Sequence, residues 1–322
     1  MRVLVIGGTG FVGRPVVRRL AAMGHEVAVF HRGETVGEGG SEGAVLHLLG
    51  DRRNLADYTP DFRAFAPEVV VDIVPLTEAD ARLVADTVRG VSRRLVAVSS
   101  QDVYLAYGRL TGLEPGPPLP VPLAEGAPLR SRLHPYRSQG GSYKNYEKIL
   151  VERVVMGTPD LDGTVLRLPM VYGPGDRQHR LHRYLRAMDT GSPTIALQAD
   201  LAGWRWSRGY VDNVALAVAM AAVDDRAAGR IYNVAEPDAL SMEEWVRAVG
   251  EATGWSGSVV RVPRDELPED ERTSMFTEQD LVADTTAIRG ELGYREDIPR
   301  VAALRLTVAW ERANPPPQGG PA

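Results

Sequence analysis

Short, continuously apolar, β-branched runs recur along the first half of the chain, at Val3 to Ile6, Val27 to Phe30, Val69 to Val74, Leu95 to Val98 and Val165 to Leu168. Unbroken apolar character over so few residues marks strands buried on both faces, as in a parallel sheet. Between them apolar residues return at helical spacing over Phe11 to Met23, Ala79 to Arg89 and Tyr143 to Met156. The alternation predicts an α/β fold, a doubly wound parallel sheet covered by helices. It fills a first domain of residues 1–172, which a further strand at Ile231 to Val234 also joins. Residues 106–142 break the rhythm with a Pro- and Gly-rich stretch, and a loop of that length is functional or disordered. After Gly173 the pattern predicts a smaller, mostly helical portion over residues 173–314, with helices at Arg180 to Asp189, Asp212 to Ala222, Met242 to Thr253 and Val301 to Arg312. Residues 315–322 carry no period and are expected to fray.

Composition narrows the class. The 322 residues are 44% hydrophobic and 25% charged, and they include no Cys, which excludes a disulfide scaffold and Cys-ligated zinc. No apolar run reaches the ~20 residues of a membrane span, and the chain enters a strand at once without signal-peptide flanks, so a cytoplasmic location is expected. Lys plus Arg number 37 against 42 Asp plus Glu, a net charge of −5 without any dense basic run, so no nucleic-acid partner is expected.

The first strand runs into Gly7, Gly8, Thr9, Gly10, Phe11, Val12 and Gly13, and then a helix. Both G-x-x-G-x-x-G and G-x-G-x-x-G are satisfied, in the strand-to-helix context that lets backbone N–H groups approach a pyrophosphate at the positive end of a helix. The sheet is therefore expected to be of Rossmann type and to bind a dinucleotide. After the second strand, where an acid would hold the ribose hydroxyls of NAD, stand His31 and Arg32. Arg32, with His31, suits a 2′-phosphate, so NADP is expected in preference to NAD; the other reading of Arg32 is a solvated surface residue. Asp51 is placed either to accept from the adenine amino group or to cap a turn.

With these motifs the chain resembles the extended short-chain dehydrogenases/reductases, the group of nucleotide-sugar epimerases, dehydratases and reductases. The matching segments are the glycine loop, Val98-Ser-Ser-Gln-Asp-Val-Tyr104, Lys148-Ile-Leu-Val-Glu152, Leu166-Arg-Leu-Pro-Met-Val-Tyr-Gly-Pro-Gly175, Arg208-Gly-Tyr-Val-Asp-Asn-Val214, Ile231-Tyr-Asn-Val234 and Glu291-Leu-Gly-Tyr294. The resemblance implies that Ser100 orients a substrate hydroxyl, that Lys148 and Pro169 meet the cofactor, and that a Tyr moves the proton while hydride passes to or from the nicotinamide. Such enzymes carry that Tyr four residues before the Lys, where this chain has Lys144. Tyr143 stands five before Lys148 and Tyr146 two before. On a regular helix Tyr146 lies on nearly the opposite face from Lys148, whereas Tyr143, at a first turn preceded by Gly140 and Gly141, can be re-aimed. Tyr143 is therefore the expected proton carrier, and the alternative is that neither tyrosine acts. Gln101-Asp102 replaces the acid pair of sugar dehydratases, which disfavours dehydration and leaves Asp102 as a base or as a residue that fixes its loop.

The expected substrate lining is cationic, with Arg177, His179 and Arg208 suited to an anionic small molecule, a nucleotide sugar among the candidates. Trp204 and Trp206 either stack a base or sugar or belong to the core. His179 and His182 have no nearby acid pair, so no metal is expected. The function expected is that of an NAD(P)-dependent oxidoreductase or epimerase acting at a hydroxyl or carbonyl. The alternative is an atypical member that binds NAD(P) as a regulatory or redox signal. The resemblance also implies a homodimer paired through the helices near 143–156 and 79–89, for which Ile149, Leu150, Val154 and Val155 supply apolar surface.

Overall fold

A computed structural model describes residues 1–33 and 45–317. The apolar runs become β1 (Arg2–Ile6), β2 (Glu26–His31), β3 (Leu46–Leu49), β4 (Val69–Asp72), β5 (Arg94–Ser100) and β6 (Asp162–Leu168). They are followed by β7 (Met170–Tyr172), β8 (Thr194–Gln198), β9 (Arg208–Tyr210), β10 (Ile231–Asn233) and β11 (Ser258–Val262). Seven of these make one parallel sheet in the order β10-β6-β5-β4-β1-β2-β3. The order reverses between β1 and β4, and the crevice beyond their carboxyl ends is where such sheets bind ligands.

The period of two along each strand decides which helices cover which face. Val3 and Val5 join Val16, Val17 and Leu20 of α1 (Gly13–Ala22) and Val214, Ala217 and Val218 of the helix Val211–Val223. Leu4 and Ile6 join the opposite layer. There they meet Phe62 of α2 (Thr59–Phe65), Val84 and Val88 of α3 (Glu78–Val88), and Val151 and Val155 of a helix that begins at Lys148. The apolar residues expected to supply a pairing surface are absorbed by this packing. Ile149, Val154 and Val155 are buried within the chain and Leu150 is half-buried.

Several expectations need correction. The segment 106–142 is not all loop, because α4 (Leu105–Leu110) opens it. The rest is tied down, with Asn233 donating to the Leu123 carbonyl and Arg167 to that of Glu125. α5 is Lys148–Gly157 and does not begin at Tyr143. Glu147 before it is extended (φ −164°, ψ 103°) and fully buried, and its carboxylate caps the helix by accepting from the Ile149 N–H. β4 stops at Asp72, whose carboxylate turns back to accept from the Val74 N–H. The portion after Gly173, expected to be mostly helical, also holds β8 paired with β11, and β9 paired with β7; strands this short leave no readable period. Residues 318–322 of the expected frayed tail lie outside the described residues. No helix among the described residues is long and apolar enough to cross a membrane.

Two glycines of the β1–α1 turn differ in what a side chain would meet. A Cβ on Gly13 would stand 2.2 Å from the Gly7 carbonyl oxygen, whereas one on Gly10 would have nothing nearer than 3.9 Å. Gly13→Ala should therefore lower stability by about 1 to 3 kcal/mol on urea unfolding. Gly10→Ala should unfold within about 0.5 kcal/mol of the wild type yet bind a dinucleotide more weakly by calorimetry. Equal losses of stability at the two positions would contradict this reading.

Candidate active site

The turn Gly7 to Gly13 leads into α1, whose first N–H groups receive no side-chain cap from Val12. With open space above Gly10, this is a cradle that fits a pyrophosphate. Beside it, Arg52 forms a two-pronged pair with buried Asp72 and donates to the Val74 carbonyl. Arg52 shapes the crevice, and sequence reasoning had assigned it no role.

Arg32 is exposed just past β2. His31 does not accompany it. The His31 ring is buried, its Nδ1 accepts from the Gly33 N–H, and its Nε2 lies 2.9 Å from Nδ1 of His47. Burial, then the second imidazole, lowers its pKa, so His31 is a neutral packing residue and no phosphate ligand. Asp51 caps the turn after β3 by accepting from the Arg53 N–H, and its hydrogen bonds with the Arg53 guanidinium hold its pKa at about 2.

At the carboxyl end of β5 the residues expected to do chemistry gather, with one exchange. Lys148 is buried at the start of α5 and donates to the carbonyls of Pro75 (2.7 Å) and Val98 (2.9 Å). Burial lowers its pKa to about 8, against the opposing pull of Asp102 and Asp72. Its Nζ lies 5.8 Å from the ring centre of Tyr146. The Tyr146 phenol, 7% exposed, lies near the Ser100 hydroxyl, which favours its ionised form, and donates to Asp102 Oδ2 at 2.8 Å. Tyr143 is 49% exposed, and its ring stands against those of Tyr136 and Tyr146. Tyr143 was expected at the first turn of a helix running through both tyrosines, but α5 starts at Lys148, so neither tyrosine is bound by helical spacing to the lysine.

Asp102 is buried, and Tyr136 also donates to its Oδ2 at 3.1 Å. Desolvation raises its pKa although Tyr146, Arg130 and Lys148 pull the other way. Tyr107, 2.9 Å from the Tyr136 hydroxyl, completes a row of phenols that the sequence did not signal, since Tyr107 and Tyr136 lie in the stretch without a period.

These groups open into a cavity of about 590 Å³ whose walls include Tyr107, Tyr136, Tyr146, Trp204, Trp206 and Pro169. The expected cationic lining is not found. Arg177 is exposed away from the walls. His179 bonds Glu311 at 2.8 Å and stacks on Trp310 of the C-terminal helix. Arg208 is buried against Trp245, donates to the carbonyls of Trp206 and Leu240, and has its pKa lowered by burial to about 10. Among the described residues Arg180 is the one cation on the wall, and it is paired with Asp176.

This architecture can be set beside known proteins. Residues 3–235 match the model of the NAD dependent epimerase/dehydratase family. The chain belongs to that family. Among relatives, it is 30% identical over 276 residues to the 2'-dehydrokanamycin reductase of Streptomyces kanamyceticus, covering 82% of this chain and 70% of the relative. It is 30% identical over 272 residues to a 3-diazoavenalumate denitrifying reductase of a Streptomyces species, covering 76% and 79%. Among solved structures it is similar to the UDP-glucose 4-epimerase of Thermus thermophilus in complex with NAD, with TM-score 0.66, 24% identity and coverage of 98% and 100%. This epimerase/dehydratase family member is thus an enzyme of the NAD-dependent oxidoreductase and epimerase type, with a Rossmann-like parallel sheet.

Lys148 keeps its place at a cost to folding. In the unfolded chain it holds its proton to about 10.5, and in the folded chain it releases it at about 8. Below pH 8 that difference opposes folding by an amount of the order of 3 kcal/mol, and stability rises with pH between the two values. Lys148→Met should therefore be at least as stable as the wild type at pH 7, with the gap closing toward pH 10.5 in urea unfolding at stepped pH.

Proposed function

We propose that the protein is an NADP-linked reductase that converts a ring ketone of a small molecule to the alcohol. The observation that carries this reading is the Tyr146 phenol, bonded to Asp102 and sharing the cavity wall with Ser100, with the Lys148 ammonium 5.8 Å from its ring centre. When bound, the nicotinamide supplies the hydride. Ser100 and Tyr146 receive the carbonyl oxygen, and Tyr146 gives it a proton. Lys148, held by two backbone carbonyls, stabilises the phenolate that remains and suits a hydroxyl of the nicotinamide ribose.

The electrostatics support this direction. Burial, then the Asp102 carboxyl, pushes the Tyr146 phenol well above its ordinary range, so it is protonated at neutral pH and ready to donate. The two named reductases among the relatives support reduction. The walls favour a ring that stacks on aromatic faces, with Arg180 the one cation among the described residues to meet an anionic group. The gathering of Ser100, Tyr146 and Lys148 also removes the motive for a protein that only binds the dinucleotide, which was the displaced tyrosine.

Tyr146→Phe should lose roughly 10² to 10⁴ in kcat with cofactor affinity kept, while Tyr143→Phe, altered at the cavity rim, stays within a few-fold. Steady-state reduction of ring ketones by both variants checks this, and the reverse ranking would refute it.

Cofactor choice has its own test. Arg32 stands where an acid would select NAD, and a charge-assisted bond to a 2′-phosphate contributes ~1.5 to 3 kcal/mol, about one to two decades in affinity. Fluorescence titration should show NADPH bound more tightly than NADH, with Arg32→Ala losing the preference and keeping NADH affinity. Equal wild-type affinities would dismiss the preference.

A further inference from the structure

Of the row of phenols around Asp102, only Tyr146 has a part in the mechanism above. Tyr107 and Tyr136 share a hydrogen bond of 2.9 Å, Tyr136 donates to Asp102 Oδ2 at 3.1 Å, and Tyr146 donates to the same oxygen at 2.8 Å. The row runs from two half-buried tyrosines to the phenol that faces Ser100. Every member lines the one cavity. A hydroxyl that both donates and accepts can pass a proton to its neighbour without moving its heavy atoms, so the row is continuous for protons.

We propose that Asp102, acting through Tyr146, is the proton store of the reaction, and that Tyr136 and Tyr107 refill it from solvent. This rests on Tyr146 being the donor. When Tyr146 gives its proton to the carbonyl oxygen, an O–H bond forms on the substrate and a phenolate is left beside the carboxyl. Two anions in contact at a buried site strongly disfavour one another. The carboxyl proton of Asp102 therefore passes to the Tyr146 oxygen. The carboxylate takes one from Tyr136, Tyr136 takes one from Tyr107, and Tyr107 takes one from water. One proton has entered from solvent and every residue is restored.

The surroundings of Asp102 suit a group that changes protonation. It faces the phenols of Tyr136 and Tyr146, the guanidinium of Arg130 and the ammonium of Lys148. Burial outweighs those cations, so its carboxyl titrates above the ordinary range. Its other oxygen, Oδ1, is buried without a hydrogen-bond partner, and taking up a proton relieves the uncompensated charge there.

A residue that merely fixed its loop would keep a pH-independent role, and Asp102→Asn separates the two, since Asn preserves shape and acceptor and removes titration. In the wild type, reduction should slow and alcohol oxidation should quicken as pH rises through the Asp102 titration. In Asp102→Asn both limbs should vanish, leaving only the limb near pH 8 from Lys148, with kcat for reduction down roughly 10- to 100-fold and KM within a few-fold. Asp102→Glu should restore a limb. Tyr136→Phe should lower kcat and raise its solvent deuterium isotope effect with KM unchanged. Independently of turnover, ultraviolet difference titration of the cofactor-free protein should show a buried phenol ionising at lower pH in Asp102→Asn, a signal absent in Tyr146→Phe. Turnover with both limbs intact in Asp102→Asn, or an unmoved phenol titration, overturns the relay alone. A wild type that turns over no ring ketone with either nicotinamide, while the phenol shift is present, overturns the reductase reading and with it the catalytic use of the relay.

Discussion

One buried carboxylate sets the geometry on which the site depends. Glu147 has no solvent exposure and accepts from the Ile149 N–H, the His134 N–H and the Arg130 guanidinium, while its own N–H donates to the Leu76 carbonyl. It thereby fixes the first turn of α5, the loop of residues 130–134 and the β4–α3 connection to one another. Arg130 in turn donates to the carbonyl of Asp102. A buried ion pair of this kind adds little net stability over an apolar pair, yet removing one partner leaves an uncompensated charge and costs about 3 to 5 kcal/mol. Its consequence is therefore registration: Asp102, Tyr146 and Lys148 are held relative to one another by a group that touches none of the chemistry.

The same residue explains why spacing along the chain misled. Two residues apart on a helix are turned about 200° from each other, and on that arithmetic Tyr146 and Lys148 cannot share a site. Glu147 is extended, and an extended residue brings the side chains on either side of it to one side, as in a strand. The phenol then falls beside the lysine without the usual three-residue interval. A helical period is a statement about dihedral angles, and one N-cap in the β region cancels it.

What was legible in the sequence is what rests on local chemistry. The apolar runs found the strands because burial on both faces leaves no alternation, and Gly7 to Gly13 found the turn because only glycines permit its close contacts. The substrate side was not legible for the converse reason. Arg208 and His179 were read by charge, but a buried guanidinium serves whichever carbonyls surround it, and an imidazole serves whichever acid and ring it meets. Those neighbours come from segments far away in the chain. Tyr107 and Tyr136 reach Asp102 from a stretch whose conformation is set by contacts to Asn233, Arg167 and Glu147, none of which a window of sequence reveals.

The two ionisable groups nearest the phenol are displaced in the same sense, each toward its neutral form. Burial lowers Lys148 to about 8 and raises Asp102, so neither is compensated by a full ion pair. A rigid salt bridge between them would fix the charge of the site and leave its protons hard to move. Backbone carbonyls on the lysine and phenols on the carboxyl instead satisfy hydrogen bonds without fixing the charge. The site thus retains its geometry while its proton count changes, which is what repeated delivery of one proton to a carbonyl oxygen demands.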